Sequence, residues 1–103
     1  MSTRKLSNIS IAEFEAFLEL AQCKFMENKK GHVKYVRSDL FRPIAFQNHI
    51  EPVPEFIILN ALRPMGYTKK DFFDILLGTV IIERNNTTFE KKPAKKNIDK
   101  NPT

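Results

Sequence analysis

Three features of the sequence predict an α+β domain, a three-stranded antiparallel sheet with helices packed on one face. An amphipathic helical segment with a capping signal comes first, over residues 10–22. Three short, alternating apolar stretches joined by turn-forming residues follow over 23–49. Two apolar helical stretches bounded by Pro and Gly then run to Gly78, for an order α-β-β-β-α-α. The chain has 103 residues, 42% hydrophobic and 28% charged, which is a globular composition with room for one core. Nine Phe and two Tyr supply its anchors.

Ser10-Ile11-Ala12-Glu13 matches a capping box, in which the serine hydroxyl and the glutamate carboxylate each satisfy the other's backbone N–H. Ile11, Phe14, Phe17, Leu18 and Ala21 recur behind it at helical spacing. Residues 23–28 read as the first strand. Asn28-Lys29-Lys30-Gly31 is turn chemistry, with Gly31 free to take positive φ. Residues 32–38 alternate and read as the second strand. Asp39-Leu40-Phe41-Arg42 connects it to a third over residues 43–49, where Pro43 at the start removes only one ladder donor. Pro54 suits a helix first turn, and Pro64 and Gly66 stop that helix. Thr68 with Asp71 caps the last helix and Gly78 ends it. Thr79-Val80-Ile81-Ile82 is apolar but isolated; packing on the core and continuing the helix both remain open.

Charge is uneven. Residues 84–103 hold six Lys and Arg against two Asp and Glu, a net +4, with few apolar side chains. They read as a basic, disordered tail on a folded unit of residues 1–83. Within that unit residues 24–42 again hold six basic against two acidic side chains. Such a patch suits a phosphate backbone, although solvated lysines alone would look the same. One cysteine, Cys23, allows no internal disulfide and no cysteine zinc site, and reads as a small core residue. No stretch reaches the roughly 18 apolar residues of a membrane span, and no signal-peptide core stands near Met1, so a soluble, cytoplasmic chain is expected.

Strand alternation places His32, Lys34, Gln47 and His49 on the sheet face away from the helices. With Asp39 to Arg42 as the connection, Tyr35 faces Phe46, Lys34 faces Gln47 and His32 faces His49. Two histidines beside lysines have a chemical use. RNA cleavage needs a 2′-hydroxyl deprotonated, a leaving oxygen protonated and a phosphoryl charge stabilised, and histidine and lysine can do this without a metal. From spacing alone, exposed strand histidines are more often inert surface residues than catalysts, and Asp39 could form a purely structural ion pair with a nearby arginine.

The segments Lys30-Gly31-His32-Val33-Lys34-Tyr35-Val36-Arg37-Ser38-Asp39 and Arg42-Pro43-Ile44-Ala45-Phe46-Gln47-Asn48-His49 resemble HicA-type toxins. The likeness continues through Pro52-Val53-Pro54-Glu55-Phe56-Ile57, Leu62-Arg63-Pro64-Met65-Gly66 and Asp71-Phe72-Phe73-Asp74-Ile75-Leu76, and looks closest to the Bacteroidetes branch. It covers roughly residues 10–77 and implies a double-stranded-RNA-binding-domain-like fold. It also implies an mRNA interferase, the endoribonuclease toxin of a type II toxin-antitoxin system, neutralised by a HicB-type antitoxin. His32 matches the family's catalytic histidine, after a glycine-containing turn, and His49 the histidine ending the third strand. Many members carry Ser or Thr before that histidine or a second histidine after it; here Gly31 precedes and Val33 follows. Residues 78–103 extend past the family's usual end.

The expected function is therefore a metal-independent, cofactor-free endoribonuclease acting on mRNA, with His32 catalytic. Lys29, Lys30, Gly31, Lys34, Arg37, Gln47 and His49 would bind RNA or support the site, with Arg37 placed by alternation towards the core face. A non-catalytic RNA-binding module, read by shape and phosphate contacts, and a protein-interaction domain are the alternatives.

Overall fold

The computed structural model describes residues 4–94. After a short 3₁₀ turn at Leu6–Asn8 come α1 (Ile11–Leu20), β1 (Lys24–Lys29), β2 (His32–Val36), β3 (Ile44–Gln47), α2 (Glu55–Met65), α3 (Lys69–Leu77), β4 (Val80–Asn85) and β5 (Thr88–Pro93). The first three strands form an antiparallel sheet in the order β1-β2-β3, and β4 and β5 form a separate two-stranded sheet. The class is α+β, with three α-helices among the described residues. No helix among the described residues is long and apolar enough to cross a membrane.

Both capping boxes form. The Glu13 N–H donates to Ser10 Oγ at 3.1 Å and the Ser10 N–H donates to Glu13 Oε1 at 3.0 Å. At α3 the Asp71 N–H donates to Thr68 Oγ1 at 3.1 Å and the Thr68 N–H to Asp71 Oδ2 at 2.8 Å. Helix α1 ends two residues earlier than its apolar spacing suggests. Gln22 takes φ 71°, and the Cys23 N–H closes back on the Leu18 carbonyl at 2.9 Å, a Schellman-type stop without glycine. Pro64 lies in the last turn of α2 and Gly66 follows it at φ 77°.

The core lies between the helices and one face of the sheet. Phe14 of α1 meets Phe46 of β3 edge-on at 5.2 Å, and Phe17 meets Phe72 of α3 at 4.6 Å. Val33, Tyr35, Ile44 and Phe46 are the buried strand residues beneath them, as alternation predicts. Cys23 is buried with them.

Two expectations are corrected. The first concerns register: β2 pairs with β3 as His32↔Gln47, Val33↔Phe46, Lys34↔Ala45 and Tyr35↔Ile44. His32 therefore faces Gln47, not His49; Lys34 faces Ala45; Tyr35 faces Ile44. The shift is two residues, so no side chain changes face. Its cause is Arg37. Instead of pairing, the chain turns there, with the Leu40 N–H donating to the Arg37 carbonyl at 2.9 Å, and the connection lengthens at both ends.

The second correction concerns the C-terminus. Residues 80–93 form a hairpin, β4 against β5, not the start of a disordered tail at Arg84. Ile82 is buried in the main core, and Phe89 is half-buried against it. The Ala94 N–H donates to the Thr79 carbonyl at 3.0 Å and closes the base. Thr79-Val80-Ile81-Ile82 thus leads into a strand rather than prolonging α3. The remainder of the expected tail, residues 95–103, lies outside the described residues.

Candidate functional site

The open face of the three-stranded sheet is built by two tight structures. The first is the β1–β2 hairpin, whose two-residue loop has Lys30 at φ 52° and Gly31 at φ 87°. Positive φ at both central positions is a type I′ turn, whose twist matches the strands it joins. Asn28 reinforces it, its Oδ1 accepting from the Gly31 N–H at 3.0 Å. The loop sets Lys29 directly opposite His32, and β3 sets Gln47 opposite His32 on the other side. Lys29, His32 and Gln47 thus form one row across the open face, neighbours roughly 5 Å apart at Cβ.

The second is the reversal at residues 47–50. The Asn48 N–H donates to the Gly31 carbonyl at 2.9 Å, and the Ile50 N–H to the Gln47 carbonyl at 3.4 Å. This brings His49 over the hairpin loop, although it faces no residue of β2. A Cβ at position 31 would stand 3.1 Å from Asn48 Oδ1 and 3.3 Å from His49 Nδ1. Gly31 therefore serves twice: its backbone takes the left-handed turn, and its bare Cα leaves space for the His49 ring. His32 and His49 are both exposed, His32 next to this glycine in sequence and His49 against its Cα.

The next row holds Glu27, Lys34 and Ala45. Glu27 lies 3.6 Å from Lys34 Nζ and 3.9 Å from Lys29 Nζ, so these two lysines share one carboxylate. Met26 is the extra residue of a β-bulge between Phe25 and Glu27, which keeps Glu27 in register with Lys34. Lys30 is exposed at the loop tip.

Arg37 does not belong to this face. Its side chain is 1% exposed and its Nε and Nη2 donate to Asp39 Oδ1 and Oδ2 at 2.7 and 2.9 Å. Its Nη1 donates to the Ala21 carbonyl at 2.8 Å and to the Tyr67 hydroxyl at 3.0 Å. The guanidinium lies 4.3 Å from the centre of the Phe89 ring. Burial works against its charge, but Asp39 and Tyr67 outweigh burial and raise its pKa. As a phosphate ligand Arg37 is thus withdrawn: alternation turns it inward and its hydrogen bonds are spent on the fold.

No protein-family model matches this chain, and no curated protein or solved structure is significantly similar to it.

Sequence reasoning passed over three participants. Asn28 carried a signal, four residues of Asx-turn chemistry ending in glycine. Glu27 and Asn48 carried none, because their positions depend on the bulge and on the reversal. Among the described residues, no group of three or more His, Cys, Asp or Glu side chains is placed to hold a metal ion. Away from this face, an apolar groove of about 560 Å³ runs between the β2–β3 connection and α2. Phe41, 95% exposed, and Phe56, 64% exposed, stand at it.

Proposed function

We propose that this chain is a HicA-like endoribonuclease toxin with a double-stranded-RNA-binding-domain-like fold. The observation that carries the reading is the row Lys29–His32–Gln47 beside a glycine that makes room for His49. An exposed imidazole flanked by a cation and an amide is the equipment that RNA transesterification uses. In that reaction the 2′-oxygen loses its proton and attacks the adjacent phosphorus. The P–O5′ bond breaks and the leaving oxygen takes a proton. His32 carries a proton in one of these transfers. Lys29 and Lys34 stabilise the charge on the phosphoryl oxygens, and Gln47 and His49 hold the RNA against the face. No step as written needs a metal. Acting on cytoplasmic mRNA, such an enzyme would block translation, and a HicB-type antitoxin covering the open face would neutralise it.

The test compares induced expression of the wild type with that of His32→Ala, with growth and total RNA followed together. Wild-type growth arrest with mRNA loss, absent in a folded His32→Ala protein, is the expected result. Purified wild type should also cleave RNA in excess EDTA. A folded His32→Ala protein that remains fully toxic would refute the role of His32. Salt-sensitive RNA binding without cleavage by pure wild type would leave the non-catalytic RNA-binding module instead.

A further inference from the structure

A second basic feature is built where the C-terminal hairpin meets the sheet. A cleft of about 270 Å³ opens there, with Lys24, Val36 and Ser38 on one side and Arg84 and Phe89 on the other. In the β4–β5 ladder Arg84 pairs with Phe89, and Ile82 with Lys91. Ile82 is in the core and Lys91 donates to Asp71 of α3 at 3.0 Å, so this face of the hairpin is the one turned to the body. Arg84 shares that face and is thereby aimed into the cleft. Its Nε donates to the Asn86 carbonyl at 3.4 Å, and its guanidinium stands 5.9 Å from the centre of the Phe89 ring. These contacts hold the group and leave its Nη atoms to an incoming acceptor.

The charges are arranged for an anion. Lys29, Lys34, Lys91 and Lys92 all stand within ion-pair distance of carboxylates. Among the described residues, Lys24 and Arg84 have no such partner; Lys5, Lys30, Arg42, Arg63 and Lys69 also have none, but of these unpaired cations only Lys24 and Arg84 line the cleft. Asp39, next in sequence to Ser38 of the cleft wall, is engaged by Arg37. Glu83 and Glu90 stand opposite each other on the hairpin's other face, both within ion-pair distance of Lys92. The cleft therefore combines an ammonium, a guanidinium and the exposed Ser38 hydroxyl, which suits the non-bridging oxygens of a phosphodiester.

The cleft is also continuous with the candidate active face. Lys24 pairs with Val36, which lies on the same side of β2 as His32 and Lys34. Four residues along a strand separate His32 from Val36, about 13 Å. We propose that the cleft is a phosphate-binding subsite for the RNA backbone, so that the C-terminal hairpin forms part of the nucleic-acid surface. The inference rests on the ribonuclease reading of the open face and gives its RNA a direction, from His32 along β2 towards Arg84.

The experiment measures binding of a single-stranded 2′-O-methyl oligoribonucleotide, which lacks the attacking hydroxyl, to the full chain across about 50–200 mM salt. The double variant Lys24→Gln/Arg84→Gln should reduce the slope of log K against log salt by about 1.4, roughly 0.7 per contact to a single strand. Its melting temperature should not change, and Arg84→Lys should keep most of the slope. Arg63→Gln/Lys69→Gln removes the same charge from the exposed surface of the helices and should leave the slope nearly intact. Equal losses in both double variants would make the effect one of net charge and overturn the subsite. A Lys24→Gln/Arg84→Gln slope equal to that of wild type would overturn the subsite alone, with the ribonuclease reading standing. Wild type that shows no salt-dependent RNA affinity would overturn both.

Discussion

Replacing Arg37 with Met tests whether this arginine serves the fold or the RNA. The substitution keeps an unbranched, buried side chain but removes every donor. The Ala21 carbonyl and the Tyr67 hydroxyl, which Arg37 Nη1 serves at 2.8 and 3.0 Å, lose their partner. A buried polar group left unsatisfied costs about 1–3 kcal/mol. Asp39 also loses its bidentate partner, but its side chain is 31% exposed and water takes over much of that contact. At about 1–2 kcal/mol for each of the two groups the sum is about 2–4 kcal/mol, overlapping the lower part of the roughly 3–5 kcal/mol range for buried ion pairs broken on one side. For a domain of this size that lowers the melting temperature by roughly 8–30 °C. Thermal denaturation followed by circular dichroism reads the shift. RNA binding measured well below the melting point should keep the wild-type salt slope. A melting temperature within about 3 °C of wild type, together with a shallower salt slope, would show that Arg37 contacts phosphate and refute the argument.

Gly31→Ala should abolish RNA cleavage while lowering stability by about 1–2 kcal/mol for left-handed backbone; the new methyl also meets Asn48 Oδ1 and His49 Nδ1. Cleavage at the wild-type rate would dissociate His49 from the site. The Arg4 guanidinium, together with the Ser10 N–H, holds the Glu13 carboxyl at about 2, below its ordinary 4.5. Stability from this pair is thus complete above pH 4.5 and is lost as pH falls towards about 2. Urea midpoints over this interval should drop more for wild type than for Glu13→Gln, and parallel curves would contradict it. Burial pushes the Cys23 thiol up to about 11. Native protein should resist iodoacetamide near neutral pH and react once unfolded, so rapid native labelling would place Cys23 outside the core.

The elements that were legible in the sequence are those whose signals are local. Ser10 with Glu13, and Thr68 with Asp71, specify their helix starts within four residues. Gly31 and Gly78 mark reversals that need positive φ. The alternation in β2 and β3 was enough to sort core from open face, because a two-residue slip preserves it. The slip itself was hidden, since its cause is a guanidinium that bonds to Ala21 and Tyr67, groups distant in sequence. The C-terminal hairpin was hidden for a related reason. Its segment is polar by composition, and what docks it is Ile82 in the core and Phe89 beneath Arg37, neither recognisable without the partner surface. At the candidate site, His32 and its neighbours Lys29 and Lys34 follow from strand parity. The approach of His49 to Gly31 depends on a reversal that the sequence does not announce.

Arg37 joins four parts of the chain that are remote from one another: the end of α1 at Ala21, its own turn at Asp39, the α2–α3 link at Tyr67 and the last strand at Phe89. Separate openings of these parts would each have to break the same side chain's contacts. The amides of the β4–β5 ladder, the Leu40 turn and the Cys23 closure are therefore expected to open as one unit, which native-state hydrogen exchange would read as a shared free energy. A two-stranded hairpin, marginal by itself in water, would thus share the protection of the domain it docks on.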